Sequence, residues 1–437
     1  MIMKALTKIG IGFLSLAAVA LGFTSCSSED VTSGTNQGKM SSLTLTINTG
    51  KSMGSRATDW TDDPAGSDKT TTENKINRAA IGIFSHSGAV KTIVELTPSA
   101  TSTPGTNSLS QTNANKATAT IVTSSLVADA GSEDEVLVAI NAPKGTFTGC
   151  QNKAAFMAKT ETAAEALANY DKTTLPTPPT PTTQVANNIP MFGSASLSGS
   201  GSSFTADVSV IHMIAKVSLT ELKVDFKAGS AYADAEFTPK AVFLINVPNS
   251  LQFDKDNAWT TSAGYEHGWG TFATAPDFTY GTTTANTDVA TTFAGSDFKT
   301  YLTTSELTAK TLKGVAGGSD DTYDKNVYFY TMPNGKTDGN ATKLVIAGTF
   351  KATGVSEKVV YYPLFLNAKV NSTGTGYDPA VTGTDAKKVY PNKNYNCKVV
   401  IRNIGAISPN TDLTPQAASI TITVTDFENA EQKTEFN

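Results

Sequence analysis

Few residues in this chain have the types and the spacing that catalysis or metal binding requires. Its three histidines are His86, His212 and His267, and no pair of them has a ligand spacing such as His-x-x-x-His. The stretch Gly314–Gly318 lacks the Gly-Lys-Ser/Thr of a phosphate-binding loop, and the acidic pair Asp320–Asp321 is typical of a solvated loop. We therefore expect neither an enzyme nor a bound metal or cofactor.

One aromatic stretch is a candidate for ligand binding. It reads Tyr265-Glu266-His267-Gly268-Trp269, and aromatic faces beside a glycine can stack against sugars or peptides. Packing of Trp269 against the surface of its own domain is the simpler interpretation of the same residues. A monomeric, surface-exposed lipoprotein that binds glycans is the alternative function that this stretch leaves open.

The chain has only three arginines, which limits where an arginine-specific protease can cut. Arg78 and Arg402 lie at strand candidates, where a protease cannot easily bind the backbone. Arg56 instead follows Gly50 and Gly54, and proteolytic nicking concentrates in flexible loops of small residues. We interpret Arg56 as the accessible arginine, an ordinary surface position being the alternative.

Residues 1–26 have the pattern of a secretion signal. Lys4 and Lys8 precede the apolar run Ile9–Phe23, which closes at Cys26 after two small residues. This ending resembles a bacterial lipobox, so we predict that Cys26 carries a lipid that holds the precursor at the outer membrane, ordinary cleavage nearby being the alternative. The apolar run is short for a bilayer span of ~20 residues, and no later stretch approaches that length.

The net charge bears on the possible partners, and the cysteine content bears on possible disulfides. The formal net charge is -5 and charged residues make up 17% of the chain, so nucleic acid is not expected as a partner. Besides Cys26, only Cys150 and Cys397 are present, and no disulfide framework can be inferred from them. The core must be held by packing.

Two distant segments have the same strand pattern. Near the start, Leu43, Leu45 and Ile47 alternate with Thr and Asn, so an extended backbone places the apolar side chains on one face. Near the end, Ile420–Thr425 alternates apolar β-branched residues with threonine in the same way. A strand that a protease can cut away, together with a C-terminal strand of the same pattern, is what a subunit needs to polymerise by lending strands.

The remaining chain predicts mainly strands. Candidates with period-two alternation lie at 78–83, 117–122, 136–140, 204–210, 217–226, 240–247, 327–331, 343–350, 358–365 and 395–402. The alternation changes parity after Leu219, which predicts a β-bulge or a sharp bend near Thr220–Glu221. Gln151–Tyr170 has helical apolar spacing that begins at Phe156 and predicts the one helix.

Many short strands, one helix and Thr/Gly-rich turns indicate an all-β protein of two sandwich-like domains. We place the domain boundary after the Gly/Ser-rich stretch 196–203. The expected parts are a lipoprotein signal peptide at 1–26, a propeptide with a removable first strand at 27–56, an N-terminal domain at 57–203 and a C-terminal domain at 204–437 with a donor strand at 418–427.

In the order of its motifs along the chain, the sequence resembles the fimbrillins of Bacteroidia, the structural subunits of type V pili. The motifs are Cys26, the strand and loop 40–56, the strand–turn–helix 136–170, the joining strand 207–224, and the C-terminal block 389–401 followed by 418–427. Residues 52–57, Ser-Met-Gly-Ser-Arg-Ala, are especially similar to a major fimbrillin's maturation site. Phe427 departs from the pattern, because related chains often carry Trp there.

The resemblance implies two transthyretin-like β-sandwich domains, with the short helix in the first. It also implies export as a lipoprotein and a cut between Arg56 and Ala57 by an Arg-specific, gingipain-type protease. Loss of the first strand, with Leu43, Leu45 and Ile47, would then open a groove for another subunit's C-terminal strand. The donor residues are Ile420, Ile422, Val424 and Phe427.

The implied partners are other copies of the chain, related tip and anchor subunits, the maturation protease, and host or bacterial surface receptors. An anchor should lack the cleavage loop and a tip should lack a free C-terminal donor. This chain has both features, so we expect the polymerising stalk subunit of a surface fimbrium.

Overall fold

The structure is a computed structural model. It describes residues 40–49, 73–99, 103, 105–113, 115–124, 134–162, 166, 188–226, 230–256, 258, 264–266, 310–314, 322–323, 327–373, 376–380, 383–409, 411–413 and 418–426.

Most of the regular secondary structure in the described chain consists of β-strands. In chain order they are β1 (Ser41–Asn48), β2 (Ala79–Phe84), β3 (Val90–Leu96), β4 (Ser108–Asn113), β5 (Lys116–Thr123), β6 (Glu135–Ile140), β7 (Thr160–Thr162), β8 (Met191–Ser196), β9 (Ser198–Ser200), β10 (Ser203–Ser209), β11 (Ile211–His212), β12 (Ala215–Val224), β13 (Glu236–Ile245), β14 (Val247–Pro248), β15 (Ser250–Gln252), β16 (Tyr265–Glu266), β17 (Leu312–Lys313), β18 (Thr322–Tyr323), β19 (Val327–Thr331), β20 (Lys343–Ala352), β21 (Val355–Phe365), β22 (Lys369–Val370), β23 (Tyr377–Asp378), β24 (Lys393–Ile401) and β25 (Ala418–Asp426). The helix α1 covers Lys153–Met157.

The first two sheets have five strands each, in the orders β4–β5–β1–β10–β9 and β11–β8–β6–β2–β3. A buried core joins them, because strand alternation directs one face of each sheet towards the other. This core contains Leu43, Leu45 and Ile47 of β1 together with Ile81 and Val138 of the opposite sheet. β1 therefore lies in the middle of its sheet and its apolar face lies in the middle of the core.

In the second half of the described chain, the two largest sheets share another core. β12 is parallel to β24 and antiparallel to β18 and β19, and β25 pairs antiparallel with β24. The fourth sheet has the order β17–β13–β20–β21. Val217 and Tyr395 of the third sheet and Val242 and Leu344 of the fourth belong to one buried cluster. The predicted all-β sandwich fold is thus confirmed.

The predicted β-bulge is also present. The pairing of β12 with β24 shifts register between Leu219 and Glu221. The hydroxyl of Thr220 donates to the carbonyl oxygen of Cys397 at 3.2 Å, so the bulge is held by a side chain as well as by the ladder.

The helix is shorter than the sequence pattern predicts. Asn152 caps α1 by accepting a hydrogen bond from the backbone N–H of Ala155 at 2.8 Å. β7 then begins at Thr160 and pairs with β15, so the helical prediction over Gln151–Tyr170 is wrong there, because pairing with a distant strand outweighs local propensity. In the described ranges, no helix has the length and apolar character that crossing a membrane requires.

The strand pairing shows which sheets the chain joins near the predicted domain boundary at 203/204. β10 begins at Ser203 and crosses that boundary, and β11 follows it, yet they pair with β1 and β8 in the first two sheets. The chain passes to the third sheet between His212 and Ala215. The division into an N-terminal domain at 57–203 and a C-terminal domain at 204–437 stays a prediction.

Candidate assembly site

β1 is bonded to neighbouring strands along both of its edges. It runs antiparallel to β5 and parallel to β10. Leu43, Leu45 and Ile47 each have 0% of their surface exposed. Since both edges of a central strand carry paired N–H and C=O groups, removal of β1 would leave two facing rows of unpaired backbone groups and an apolar groove between them.

The neighbours of β1 give this groove a defined shape. In β5 and β10, the residues beside Leu43 are Ile121 and Phe204, and those beside Leu45 are Ala119 and Ala206. The two alanines occupy little volume, so the space at the centre of the groove is filled mainly by the side chain of Leu45. A replacement strand must therefore present a large apolar side chain at that position.

Ser41 is the residue of β1 whose side chain has an unmet hydrogen-bonding requirement. Its side chain is fully buried, and its hydroxyl oxygen has no hydrogen-bond partner among the described residues. A buried hydroxyl without a partner is destabilising, so this end of the groove would accept a small apolar side chain better than serine.

Asn115 holds the two ends of the predicted cleavage loop together. The loop leaves β1 after Thr49, whose backbone N–H donates to the carbonyl oxygen of Asn115 at 3.1 Å. The chain is described again from residue 73, and the side chain of Asn74 donates to the side-chain oxygen of Asn115 at 2.9 Å. Gln111 also donates to the carbonyl oxygen of Asn74 at 3.0 Å. Both ends of the loop are therefore fixed at the turn between β4 and β5.

A buried polar cluster surrounds Glu73. One carboxylate oxygen of Glu73 lies 2.9 Å from Nζ of Lys216 and accepts a hydrogen bond from the hydroxyl of Tyr330 at 2.6 Å. Nε2 of His212 lies 3.2 Å from the carbonyl oxygen of Glu73. Because 57–75 contains four aspartates with a proline and a glycine, its sequence predicts an exposed loop. This prediction is wrong for Glu73 and Asn74, which are 8% and 4% exposed.

Burial changes the proton affinities in this cluster. It lowers the pKa of His212 below its ordinary value, and the charge of Glu73 opposes that shift. It raises the pKa of Tyr330 well above its ordinary value, and Glu73 acts in the same direction. A neutral imidazole and a neutral phenol therefore face the Glu73–Lys216 ion pair.

The predicted donor strand is present as β25, at the end of the third sheet. Its backbone pairs with β24 from Ala418 opposite Ile401 to Asp426 opposite Lys393. In the described part of the chain, β24 is the one strand paired with β25, which leaves the other edge of β25 unpaired. A strand bonded along one edge is easier to detach than a strand bonded along two.

The structure describes only part of the predicted set of site residues. Leu43, Leu45 and Ile47 lie together in β1, and Ile420, Ile422 and Val424 follow one another in β25. Cys26, Arg56, Ala57 and Phe427 lie outside the described residues.

The other two arginines are held in place. Arg78 is 6% exposed and lies 3.4 Å from a carboxylate oxygen of Glu95. Arg402 directly follows β24, and its Nε lies 3.2 Å from a carboxylate oxygen of Asp225. Their predicted positions beside strands are confirmed.

The described residues give no support to a metal site, a ligand-stacking site or a reactive thiol. Among them, no group of three or more His, Cys, Asp or Glu side chains could hold a metal ion. Tyr265 forms β16 with Glu266 and is 6% exposed, so its ring offers no open face for stacking. Cys150 and Cys397 are both buried thiols, and burial raises the pKa of each.

Comparisons with known proteins support the fold. No family model and no curated protein sequence matches the chain. A "putative cell adhesion protein" from Bacteroides eggerthii is similar in structure, with a TM-score of 0.50, 19% identity, and coverage of 90% of this chain and 98% of that chain. One from Parabacteroides distasonis has a TM-score of 0.51, 14% identity, and coverage of 90% and 98%.

A fimbrilin from Porphyromonas gingivalis also matches, with a TM-score of 0.47, 15% identity, and coverage of 90% of this chain and 99% of that chain. The chain thus has the all-β sandwich fold of the two cell-adhesion structures along nearly all of its length. This similarity agrees with the all-β sandwich fold predicted from the sequence.

Proposed function

We propose that this chain is the stalk subunit of a surface fimbrium, which polymerises by donor-strand exchange after proteolytic removal of β1. One observation carries the proposal: β1 is a central strand whose apolar face is fully buried, and β25 repeats its alternation of apolar and hydroxyl residues. The fold shared with the two cell-adhesion structures supports a role at the cell surface.

The match between the two sequences favours one register for β25 in the groove of β1. Residues 41–49 read Ser-Ser-Leu-Thr-Leu-Thr-Ile-Asn-Thr, and residues 418–426 read Ala-Ser-Ile-Thr-Ile-Thr-Val-Thr-Asp. Aligned from Ser41 and Ala418, both strands place large apolar residues at the third, fifth and seventh positions, and Ser-x-Thr-x-Thr between them. Ile422 then takes the central position of Leu45, between the two alanines.

The same register explains why a donated strand would be retained. Ala418 replaces Ser41 and removes its unpaired buried hydroxyl, and two β-branched isoleucines replace leucines in a strand. Burial of Ile420, Ile422 and Val424 contributes about 1.5 to 3 kcal/mol each, or roughly 5 to 9 kcal/mol together. Before cleavage, β1 occupies the groove at a high effective concentration, so the precursor stays monomeric.

Maturation follows from the positions of the predicted processing residues. The precursor is anchored to the outer membrane through a lipid on Cys26, and an Arg-specific protease cuts between Arg56 and Ala57. Since Asn115 fixes both ends of the loop, the cut separates β1 from the remaining sheet without disturbing the strands beside it. Tip and anchor subunits of the same fold complete the fimbrium.

The alternative, a monomeric lipoprotein that binds glycans through the stretch at 265–269, is not favoured. The buried ring of Tyr265 contributes no stacking surface, and Trp269 lies outside the described residues.

The register gives a direct test by disulfide cross-linking. In β1, Thr44 lies opposite Thr120 of β5, so in the fibre Thr421 should lie opposite Thr120 of the neighbouring subunit. Directly opposed strand residues have Cα atoms ~4.5–5.5 Å apart, within the range of a disulfide. The variant Thr120→Cys with Thr421→Cys should form disulfide-linked ladders after cleavage.

The matched control is Thr120→Cys with Thr423→Cys, which is displaced by two residues and places the pair roughly 7–8 Å apart. This control should form few links. Equal linking in both variants, or fibres without links in the first, would show that β25 is not donated in this register.

A further inference from the structure

The segment that connects β24 to β25 is firmly attached to its own subunit. The backbone groups of Tyr361 and Ala406 exchange two hydrogen bonds, each with an N–O distance of 2.9 Å. The hydroxyl of Tyr362 donates to the carbonyl oxygen of Asn403 at 2.9 Å. Ile404 and Leu413 both pack against the second core.

Among the described residues, the last polar attachment before β25 is an ion pair. Nζ of Lys343 lies 2.5 Å from a carboxylate oxygen of Asp412, and the Lys343 side chain is 0% exposed. The same Nζ lies 4.7 Å from the centre of the Phe365 ring. A fully buried ammonium is strongly destabilising without an anion beside it, so Lys343 holds Asp412, and with it the chain, at this point.

We propose that the Lys343–Asp412 ion pair is the fixed point from which β25 is released to a second copy of the chain. The proposal rests on donor-strand exchange as the assembly mechanism. Residues up to Leu413 stay on the donor subunit when β25 leaves β24, and the part that moves begins after Leu413.

This fixed point limits how far apart two subunits can lie. Only residues 414–417 separate Leu413 from Ala418, so five Cα steps join the fixed point to the donated strand. An extended chain of that length spans at most about 18 Å. The end of the acceptor groove at Ser41 must therefore lie within about 18 Å of Leu413 of the donor, which places the body of the donor against that end of the acceptor.

Two insertion variants test the fixed point. Gly-Ser-Gly inserted after Leu413 lengthens the free connection by about 10 Å, and the axial repeat of the fibres should become longer or more variable in electron micrographs. The matched control carries the same insertion after Ile407, which is 78% exposed and lies between Ala406 and Asp412. Its repeat should equal that of the wild type. The proposal is overturned if both insertions change the repeat equally, or if neither changes it.

Hydrogen exchange provides a second measurement that does not depend on fibre geometry. On passing from monomer to fibre, amides of β24 that bond to β25 should exchange faster, while the amides of Tyr361 and Ala406 keep their protection. Loss of protection at Ala406 would show that release begins earlier in the chain.

These results separate the two proposals. Fibres that carry the Thr120–Thr421 cross-link but lose protection at Ala406 would contradict the fixed point alone. The absence of fibres from cleaved wild-type protein would contradict strand exchange itself.

Discussion

Nζ of Lys216 lies 2.9 Å from a carboxylate oxygen of Glu73, and both side chains are largely shielded from solvent. This ion pair joins the chain that follows the predicted cleavage loop to β12 of the third sheet. In the proposed mature subunit, Glu73 would be the first residue after the new N-terminus that the structure describes. The pair therefore keeps the shortened chain attached where β1 is lost.

Replacement of Glu73 by Ala should strongly destabilise the protein. It leaves the Lys216 ammonium buried without its anion, which typically costs about 3–5 kcal/mol. The free energy of unfolding from denaturant titration measures the effect. The double variant Glu73→Gln with Lys216→Met should lose much less, because no unpaired charge remains. Lys255→Ala, which breaks an exposed pair with Asp256, should change stability by about 0–1 kcal/mol.

Stability should fall on mild acidification because of His212. Burial keeps the pKa of this ring below its ordinary value, so the folded protein holds it neutral while the unfolded chain takes up a proton as the pH falls through about 6.5. The unfolded state then binds more protons, and folding stability decreases as the pH falls further. The decrease in folding stability ends only when the pH lies below the pKa of His212 in the folded protein.

His212→Gln should reduce this decrease between pH 7.5 and 5, measured as the shift of the denaturant midpoint. His86→Gln, at an exposed position, serves as the control and should leave the decrease unchanged. If the denaturant midpoint depends equally on pH in wild type and His212→Gln, the assignment of this pH dependence to His212 is contradicted.

Ile422→Asp should abolish polymerisation. In the matched register, Asp would place an unpaired charge between Ala119 and Ala206 at the centre of the acceptor groove. Thr421→Asp is the matched control, because its position corresponds to Thr44, which is exposed. Light scattering and electron microscopy of cleaved protein should show fibres for the control and monomers for Ile422→Asp. Long fibres from both would show that the donor lies elsewhere.

Arg56→Ala should block maturation and therefore assembly. The uncut precursor keeps β1 in its groove, so it should stay monomeric and retain the lipid on Cys26. Arg402→Ala should be processed normally, since the cut does not fall there. Mass spectrometry of wild-type fibres should find no peptide from residues 27–56, and abundant peptides from that range in the fibre shaft would contradict the cleavage model.

The two strands used in the proposed assembly, β1 and β25, were predictable from sequence because their own residues carry the alternating pattern of a strand. β1 and β25 alternate large apolar residues with threonine, so period-two reasoning locates both. β4 and β9, which read Ser-Leu-Ser-Gln-Thr-Asn and Ser-Gly-Ser, have no such pattern. They are strands because they pair with β5 and β10, and pairing with a neighbour is not visible in a local window.

The cluster around Glu73 was missed for the same reason. Its partners Lys216 and Tyr330 are 143 and 257 positions away in sequence. Glutamate next to an acidic, glycine-containing stretch indicates a solvated loop, and only the tertiary structure brings the two partners to it.

The parallel pairing of β1 with β10 has a consequence for the fibre as a whole. A strand that replaces β1 in the matched register must run in the direction of β1, so every donor meets its acceptor in the same orientation. Such a head-to-tail contact is not self-complementary and builds an open filament instead of a closed pair. The filament then has polarity: one terminus offers an unfilled groove and the other an undonated strand. These two unlike ends would be the places where a capping or anchoring subunit binds.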